Sequence, residues 1–271
     1  NSDNSNKGVI TETVADVFSE PDIKSVRITQ AIFNQPVTIL EENDNWVKVE
    51  VVDGNVGWIK SNYIDKDCSS IEAGKYKYKI VITAKSKAIS SQAKGGITIK
   101  EAVMGTEFYS NFKEDDLYEV ALPGKATGWI KGIGTIEIPV DGKISETSAE
   151  DFVATLAKFK GTEYLYGGIS SWGIDCSGLT YICSRLNGIN LPRDIEAQFY
   201  IGEKISLDEI KPGDLIFFSA NKDSEEISHV GVYVGDNQFI HANKEKGYVM
   251  YTSFDSGNYT ERIVGIRRIF D

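Results

Sequence analysis

The sequence predicts an α+β chain: two small all-β units, then one unit that runs helices first and strands second. Three observations predict it. A strand, a short polar turn and a closing Gly-Trp-Ile-Lys strand occur twice, at Gly57-Trp58-Ile59-Lys60 and at Gly128-Trp129-Ile130-Lys131. Period-two patterning between turn residues marks short, half-buried strands. After Pro139-Val140-Asp141-Gly142-Lys143 the period changes, and Phe152, Val153, Leu156 and Phe159 recur at helical spacing ahead of a series of short β runs. The expected units are residues 1–70, 71–140 and 141–271.

The first β unit carries Pro36-Val37-Thr38-Ile39-Leu40 and Asn45-Trp46-Val47-Lys48-Val49-Glu50-Val51 ahead of its Gly-Trp-Ile-Lys strand. The second carries Leu117-Tyr118-Glu119-Val120-Ala121-Leu122 in the matching place, and its earlier strands (78–83 and 96–101) are less regular. Trp58 and Trp129 are expected as core aromatics of these units. In the last unit, Ser148-Ala149-Glu150-Asp151 reads as a helix start, with a capping hydroxyl and acids in the first turn. A second helix is expected over 176–186, stopped by Asn187-Gly188. Strands are expected at 215–218, 229–234, 239–242 and 263–269, with Asp236-Asn237 as a tight turn between the middle two.

Charge and composition bound the function. With 29 Lys and Arg against 40 Asp and Glu, the chain carries a net charge of −11, which disfavours a nucleic-acid partner. No apolar run approaches the roughly 20 residues of a membrane span. The polar, Met-less start, Asn1-Ser2-Asp3-Asn4-Ser5-Asn6, reads as a mature or trimmed end, giving the expectation of a secreted or cell-envelope protein. Three cysteines cannot form a paired framework, so Cys68, Cys176 and Cys183 read as separate thiols.

The chain has only two histidines, and both fall in apolar, strand-like runs downstream of Cys176. A thiol needs a base to become a nucleophile, and the base needs a third group to orient it. Cys176 opens the second helix, where unpaired N–H groups and the helix dipole favour the thiolate and offer an oxyanion site. His229 and His241 lie on two successive strands, which can bring their side chains onto one face within hydrogen-bond reach. Cys176 as nucleophile, His229 as base and His241 as orienter is one reading; a buried cysteine beside two satisfied histidines is the other. Cys183, two helical turns beyond Cys176, reads as a core thiol.

Six motifs in order bear on that choice. They are Gly161-Thr162-Glu163-Tyr164-Leu165-Tyr166-Gly167-Gly168, Asp175-Cys176-Ser177-Gly178-Leu179, Leu191-Pro192-Arg193-Asp194, Lys211-Pro212-Gly213-Asp214-Leu215-Ile216-Phe217-Phe218, Ser228-His229-Val230-Gly231-Val232-Tyr233 and Phe239-Ile240-His241-Ala242. Over residues 146–271 they resemble the NlpC/P60 cysteine peptidases, and the Gly-Trp-Ile-Lys repeats resemble bacterial SH3 (SH3b) modules. The resemblance implies a papain-like catalytic domain preceded by two small SH3-like barrels. With both parts together, the chain is similar to γ-D-glutamyl-L-diamino acid endopeptidases of the YkfC type. These act on L-Ala-γ-D-Glu-diamino acid stem peptides of peptidoglycan.

By that resemblance Cys176, His229 and His241 are catalytic, and no metal or organic cofactor is required. Tyr164 lines the site beside the nucleophile. Asp175, Ser177, Arg193 and Asp194 shape the pocket for L-Ala-γ-D-Glu, the acid before the nucleophile helping to hold the substrate's free amine and an arginine the D-Glu carboxylate. Two departures stand out: Tyr166 occupies a common tryptophan position, keeping an aromatic wall, and Ile195 replaces a usual serine. In such enzymes the first SH3b module closes one end of the cleft, and Tyr63, the only tyrosine of the first unit, is the candidate to reach over it. The competing functions are a non-catalytic wall-binding protein and an amidase or acyltransferase on the same fold. The oligomeric state is not indicated.

Overall fold

Alternating apolar side chains and tight polar turns fold the first half of the chain into two sheets of like topology. The structure, a computed structural model, describes residues 6–271, so most of the polar start read as a trimmed end lies outside the described residues. The first sheet comprises β1 (Lys7–Ile10), β2 (Val14–Phe18), β3 (Arg27–Ile32), β4 (Pro36–Asn43), β5 (Trp46–Glu50), β6 (Val56–Lys60) and β7 (Ile64–Asp65). Its order is β3-β2-β6-β5-β4-β1-β7. The second comprises β8 (Tyr78–Ile82), β9 (Ser86–Ser90), β10 (Thr98–Val103), β11 (Glu107–Glu114), β12 (Leu117–Leu122), β13 (Ala126–Lys131) and β14 (Thr135–Ile138). It repeats the same plan, β10-β9-β13-β12-β11-β8-β14.

The inward residues follow the period-two expectation. Ala15, Val17, Val47, Val49 and Ile59 form one core, and Ile80, Ile89, Phe108, Val120 and Ile130 the other. The two tryptophans differ: Trp58 is buried, whereas Trp129 is half-buried with Phe112 edge-on to it at 5.8 Å. Both sheets belong to one compact unit that ends at Lys143. Phe33, just after β3, inserts into the second core, and the Asn34 side chain donates to the Glu107 carbonyl at 3.0 Å. Thr13 Oγ1 donates to the Glu101 carbonyl at 2.8 Å.

The second unit, Ile144–Asp271, begins with α1 (Ala149–Ala157), capped by Ser148, whose Oγ accepts the Asp151 N–H at 3.1 Å. A small ribbon, β15 (Ile169–Ser170) and β16 (Gly173–Ile174), leads into α2 (Cys176–Arg185) and then the single turn α3 (Ile195–Gln198). From Ser177 to Ser184 every residue of α2 is buried. Six strands follow: β17 (Glu203–Ile205), β18 (Leu215–Ser219), β19 (Ile227–Gly235), β20 (Gln238–Asn243), β21 (Tyr248–Ser253) and β22 (Ile263–Arg268). They form an antiparallel sheet in the order β17-β22-β18-β19-β20-β21.

Asp236 and Asn237 sit at φ 51° and 61°, the left-handed pair that a two-residue hairpin between β19 and β20 requires. The Lys-Pro-Gly-Asp motif has a structural purpose. Asp214, 1% exposed, holds Arg268 of β22 at 2.8 Å and accepts the Lys211 N–H at 2.8 Å. Two strands of this six-stranded sheet went unread in the sequence, β17 and β21, and β21 matters for the site. Among the described residues no helix is long and apolar enough to cross a membrane.

Candidate active site

The site is built on the N-terminus of α2. Asp175 caps that helix: its Oδ1 accepts the Gly178 N–H at 2.7 Å, and its Oδ2 accepts the Gly167 N–H at 2.7 Å. Arg193 completes the cage, with Nη2 3.1 Å from both carboxylate oxygens and Nη1 donating to Ser177 Oγ at 2.8 Å. Both charges are buried, with side chains 4% and 10% exposed. Gly178 allows the close packing, because a Cβ there would stand 2.1 Å from the Gly168 carbonyl oxygen. Gln198, fully buried, donates to the Ser177 and Pro192 carbonyls and accepts from Thr180 Oγ1, tying α3 to α2. Asp175, Ser177 and Arg193, expected in one pocket, are thus one hydrogen-bonded group directly beneath Cys176.

The Val230 and Ser177 N–H groups both favour the charged form of the Cys176 thiol, and α2 packs against β19, where Val230 follows His229 in sequence. A bulge aims that histidine. Phe218 pairs with His229 and Ser219 with Ile227, so Ser228 is the extra residue just before it. His229 Nε2 lies 2.7 Å from His241 Nδ1 on β20, and His241 Nε2 lies 2.7 Å from Thr252 Oγ1 on β21. His241 is 1% exposed, whereas His229 is only partly buried. The two rings meet diagonally across the strand pair, past Gly231. A Cβ on Gly231 would stand 2.7 Å from the Phe239 ring and 3.3 Å from His241 Cβ, crowding the contact.

Charge at this site departs from the simple helix-dipole expectation. Burial, and then the Asp175 carboxylate, push the Cys176 thiol up to about 12 against the pull of the Val230 N–H, the Arg193 charge and the Ser177 N–H. Burial, reinforced by the Arg262 charge, pushes His229 down to about 4. Burial, His229 and Arg262 together push His241 down to about 3. The resting site is therefore a neutral thiol beside neutral imidazoles. Desolvation is the largest influence on the thiol, ahead of the Asp175 charge.

This gives a pH dependence of stability. The unfolded imidazoles titrate near 6.5, so below that value the unfolded chain binds more protons than the folded one. Stability then falls as pH drops from 6.5 towards 3, by a few kcal/mol in all, since each tenfold change in proton affinity is worth about 1.4 kcal/mol. Urea midpoints at pH 7 and pH 4.5 are expected to separate less in a His229→Gln/His241→Gln variant than in the wild type. Equal separations would contradict the burial argument.

The remaining expected residues fall as follows. Tyr164 is partly buried, and its hydroxyl is held above its ordinary range by burial and then by the Cys176 charge. Its backbone N–H donates to the Gly247 carbonyl at 2.8 Å. Tyr166 is 57% exposed. Asp194 is exposed, and its side chain makes no capping bond to α3. Tyr63 lies in the first unit, ending the short turn Ser61–Tyr63 and packing against the first barrel's core. Cys183 is fully buried, and its thiol is pushed well above the ordinary range, so it is inert. Thr252 and Gln198 were missed by sequence reasoning. The β-rich run Tyr-Val-Met-Tyr-Thr-Ser from Tyr248 was the available signal for the first.

Such an arrangement offers a thiol, a base hydrogen-bonded to a third group, and backbone donors at a helix mouth, the parts acyl transfer needs. The comparisons agree. Residues 161–268 match the NlpC/P60 family and residues 13–65 the bacterial SH3 domain. A γ-D-glutamyl-L-lysine dipeptidyl-peptidase of Bacillus subtilis (strain 168) is 31% identical over 264 residues, covering 89% of this chain and 81% of its own. One of the same name from Bacillus cereus (strain ATCC 10987) is 28% identical over 254 residues, covering 89% and 74%. The crystal structure of an NlpC/P60 family protein from Bacillus cereus ATCC 10987 superposes with a TM-score of 0.88 over 98% of this chain and 100% of that one. At 22% identity it speaks for the fold. With a relative that similar over 89% of this chain and 81% of its own, and a cysteine at a helix start with two hydrogen-bonded histidines on the matching fold, this chain belongs to the NlpC/P60 family of cysteine peptidases.

Proposed function

We propose that this peptidase hydrolyses the γ-D-glutamyl–diamino acid bond of peptidoglycan stem peptides, taking stems that begin with a free L-Ala. One observation supports the reading: α2, which opens with Cys176, packs against β19, the strand that carries His229, in a chain whose relatives over nearly its full length are named γ-D-glutamyl-L-lysine dipeptidyl-peptidases. A dipeptidyl activity counts its cut from a free amine. Asp175 already accepts from Gly167, Gly178 and Arg193, so exposed Asp194 is the acid we assign to the substrate ammonium. We assign Tyr164, Tyr166 and Ser177 to the substrate wall near the sulfur.

In the reaction, Cys176 Sγ attacks the γ-glutamyl carbonyl carbon as its proton passes to His229. The oxyanion is met by N–H groups at the start of α2 and by the Tyr164 hydroxyl. Collapse breaks the C–N bond, and His229 delivers its proton to the leaving amine. Water, deprotonated by His229, then cleaves the thioester. Defined L-Ala-γ-D-Glu-L-Lys and L-Ala-γ-D-Glu-diaminopimelate peptides, free and N-acetylated, test this. The free peptides are expected to release L-Ala-D-Glu, and acetylation to lower kcat/KM by about 10-fold or more, as loss of a charged group's hydrogen bonds does. Equal cleavage of the acetylated peptide would remove the free-amine requirement. A product other than the γ-glutamyl cut, read by mass spectrometry, would replace the reaction.

A further inference from the structure

The two histidines do not end the polar chain behind Cys176; it continues to Thr252, a residue of the strand that the sequence did not reveal. We propose that Thr252 is a positioning residue whose hydroxyl accepts a hydrogen bond from His241 Nε2 and so sets the tautomers of both histidines. This rests on the catalytic roles given above to Cys176, His229 and His241. The argument is one of hydrogen-bond polarity. A neutral imidazole has one donor and one acceptor nitrogen. His229 Nε2 is committed to His241 Nδ1 at 2.7 Å, leaving His229 Nδ1 as its other nitrogen. Nδ1 is the ring nitrogen nearer the backbone, and the backbone N–H of the next residue, Val230, bonds the Cys176 sulfur.

To take the thiol proton, Nδ1 must carry a lone pair, so His229 must hold its proton on Nε2. His241 Nδ1 must then accept, and His241 must carry its own proton on Nε2, directed at Thr252 Oγ1 at 2.7 Å. The opposite polarity, with Thr252 donating to Nε2, would run the proton chain backwards and leave His229 with Nδ1–H facing the sulfur, unable to act as base. Thr252 is 8% exposed, so water does not set the choice. Aromatic and charged groups face the two imidazoles. These are the aromatic rings of Phe218 on β18, Phe239 on β20 and Tyr259, and the Arg262 cation stacked on Tyr259 at 4.7 Å.

During attack the proton leaves Cys176 Sγ for His229 Nδ1, and the resulting imidazolium keeps its Nε2–H on His241. Thr252 does not touch the reacting atoms, so its removal should lower kcat and leave KM alone. The test uses the whole chain, labelled with 15N-histidine; its two histidines give two ring systems. The wild type at pH 7 is expected to show Nε2–H on both rings. Thr252→Val should give mixed tautomers, lower kcat by about 10-fold or more with KM little changed, and shift the acid limb of the rate profile. Thr252→Ser should keep both the tautomers and the rate. An Nδ1–H on His229 in the wild type, unchanged kcat in Thr252→Val, or equal loss in both variants would overturn the proposal. The ring tautomers are read without substrate, so an enzyme that cuts a different bond still answers the question.

Discussion

Replacing Cys176 by Ala is expected to lower peptide cleavage by about 10⁴-fold or more, to background, while leaving the fold in place. The side chain is small and partly exposed at the start of a helix whose cap is Asp175, so removing one sulfur opens little space and breaks no cap. Circular dichroism and the denaturation midpoint should match the wild type. His229→Ala is expected to lose nearly as much, because it removes the proton acceptor. His241→Ala should lose about 10- to 100-fold less, because it removes orientation and leaves the base. Substantial turnover by Cys176→Ala would end the nucleophile assignment, and a reversed order for the two histidines would exchange their roles.

The second large effect is structural. Arg193→Met is expected to destabilise the protein by about 3–5 kcal/mol, because it leaves the Asp175 carboxylate buried without its cation. Arg193→Lys should recover only part of this. A single ammonium cannot reproduce the fork that reaches both Asp175 oxygens and Ser177 Oγ together. In the double variant Asp175→Asn/Arg193→Met the loss should be clearly smaller than the sum of the two single losses, since Asn still caps α2 and no unpaired charge remains. Urea denaturation of the wild type, the two single variants and the double variant measures the coupling. A single-variant loss below about 1 kcal/mol would mean that the pair is solvated and idle.

Much of the architecture was legible because short-range chemistry wrote it. Ser148 caps the helix start it was expected to mark, the second helix begins at Cys176 as expected, and Asp236-Asn237 forms the expected turn. The doubled Gly-Trp-Ile-Lys strand marks two sheets of one topology. What escaped was short or irregular. Three-residue β17 is too brief to show a period, and β21 lacked an apolar alternation clean enough to separate it from the preceding polar loop. The merging of both barrels into one compact unit also escaped. It depends on Phe33 and Asn34 meeting residues far along the chain, such as Phe108 and Glu107, and no local pattern records such a partner.

The sequence by itself determined the candidates for the chemistry: one cysteine at a helix start and the only two histidines on successive strands, in motifs ordered as a family orders them. Tertiary structure alone decided their state and their support. Whether a helix-mouth thiol is ionised depends on what buries it, and here burial together with Asp175 keeps it protonated. Which group stands behind the second histidine depends on strand order, and β21 beside β20 supplies Thr252. Desolvation and hydrogen-bond polarity are properties of a place in space, and a linear chain acquires them only when distant segments close around it.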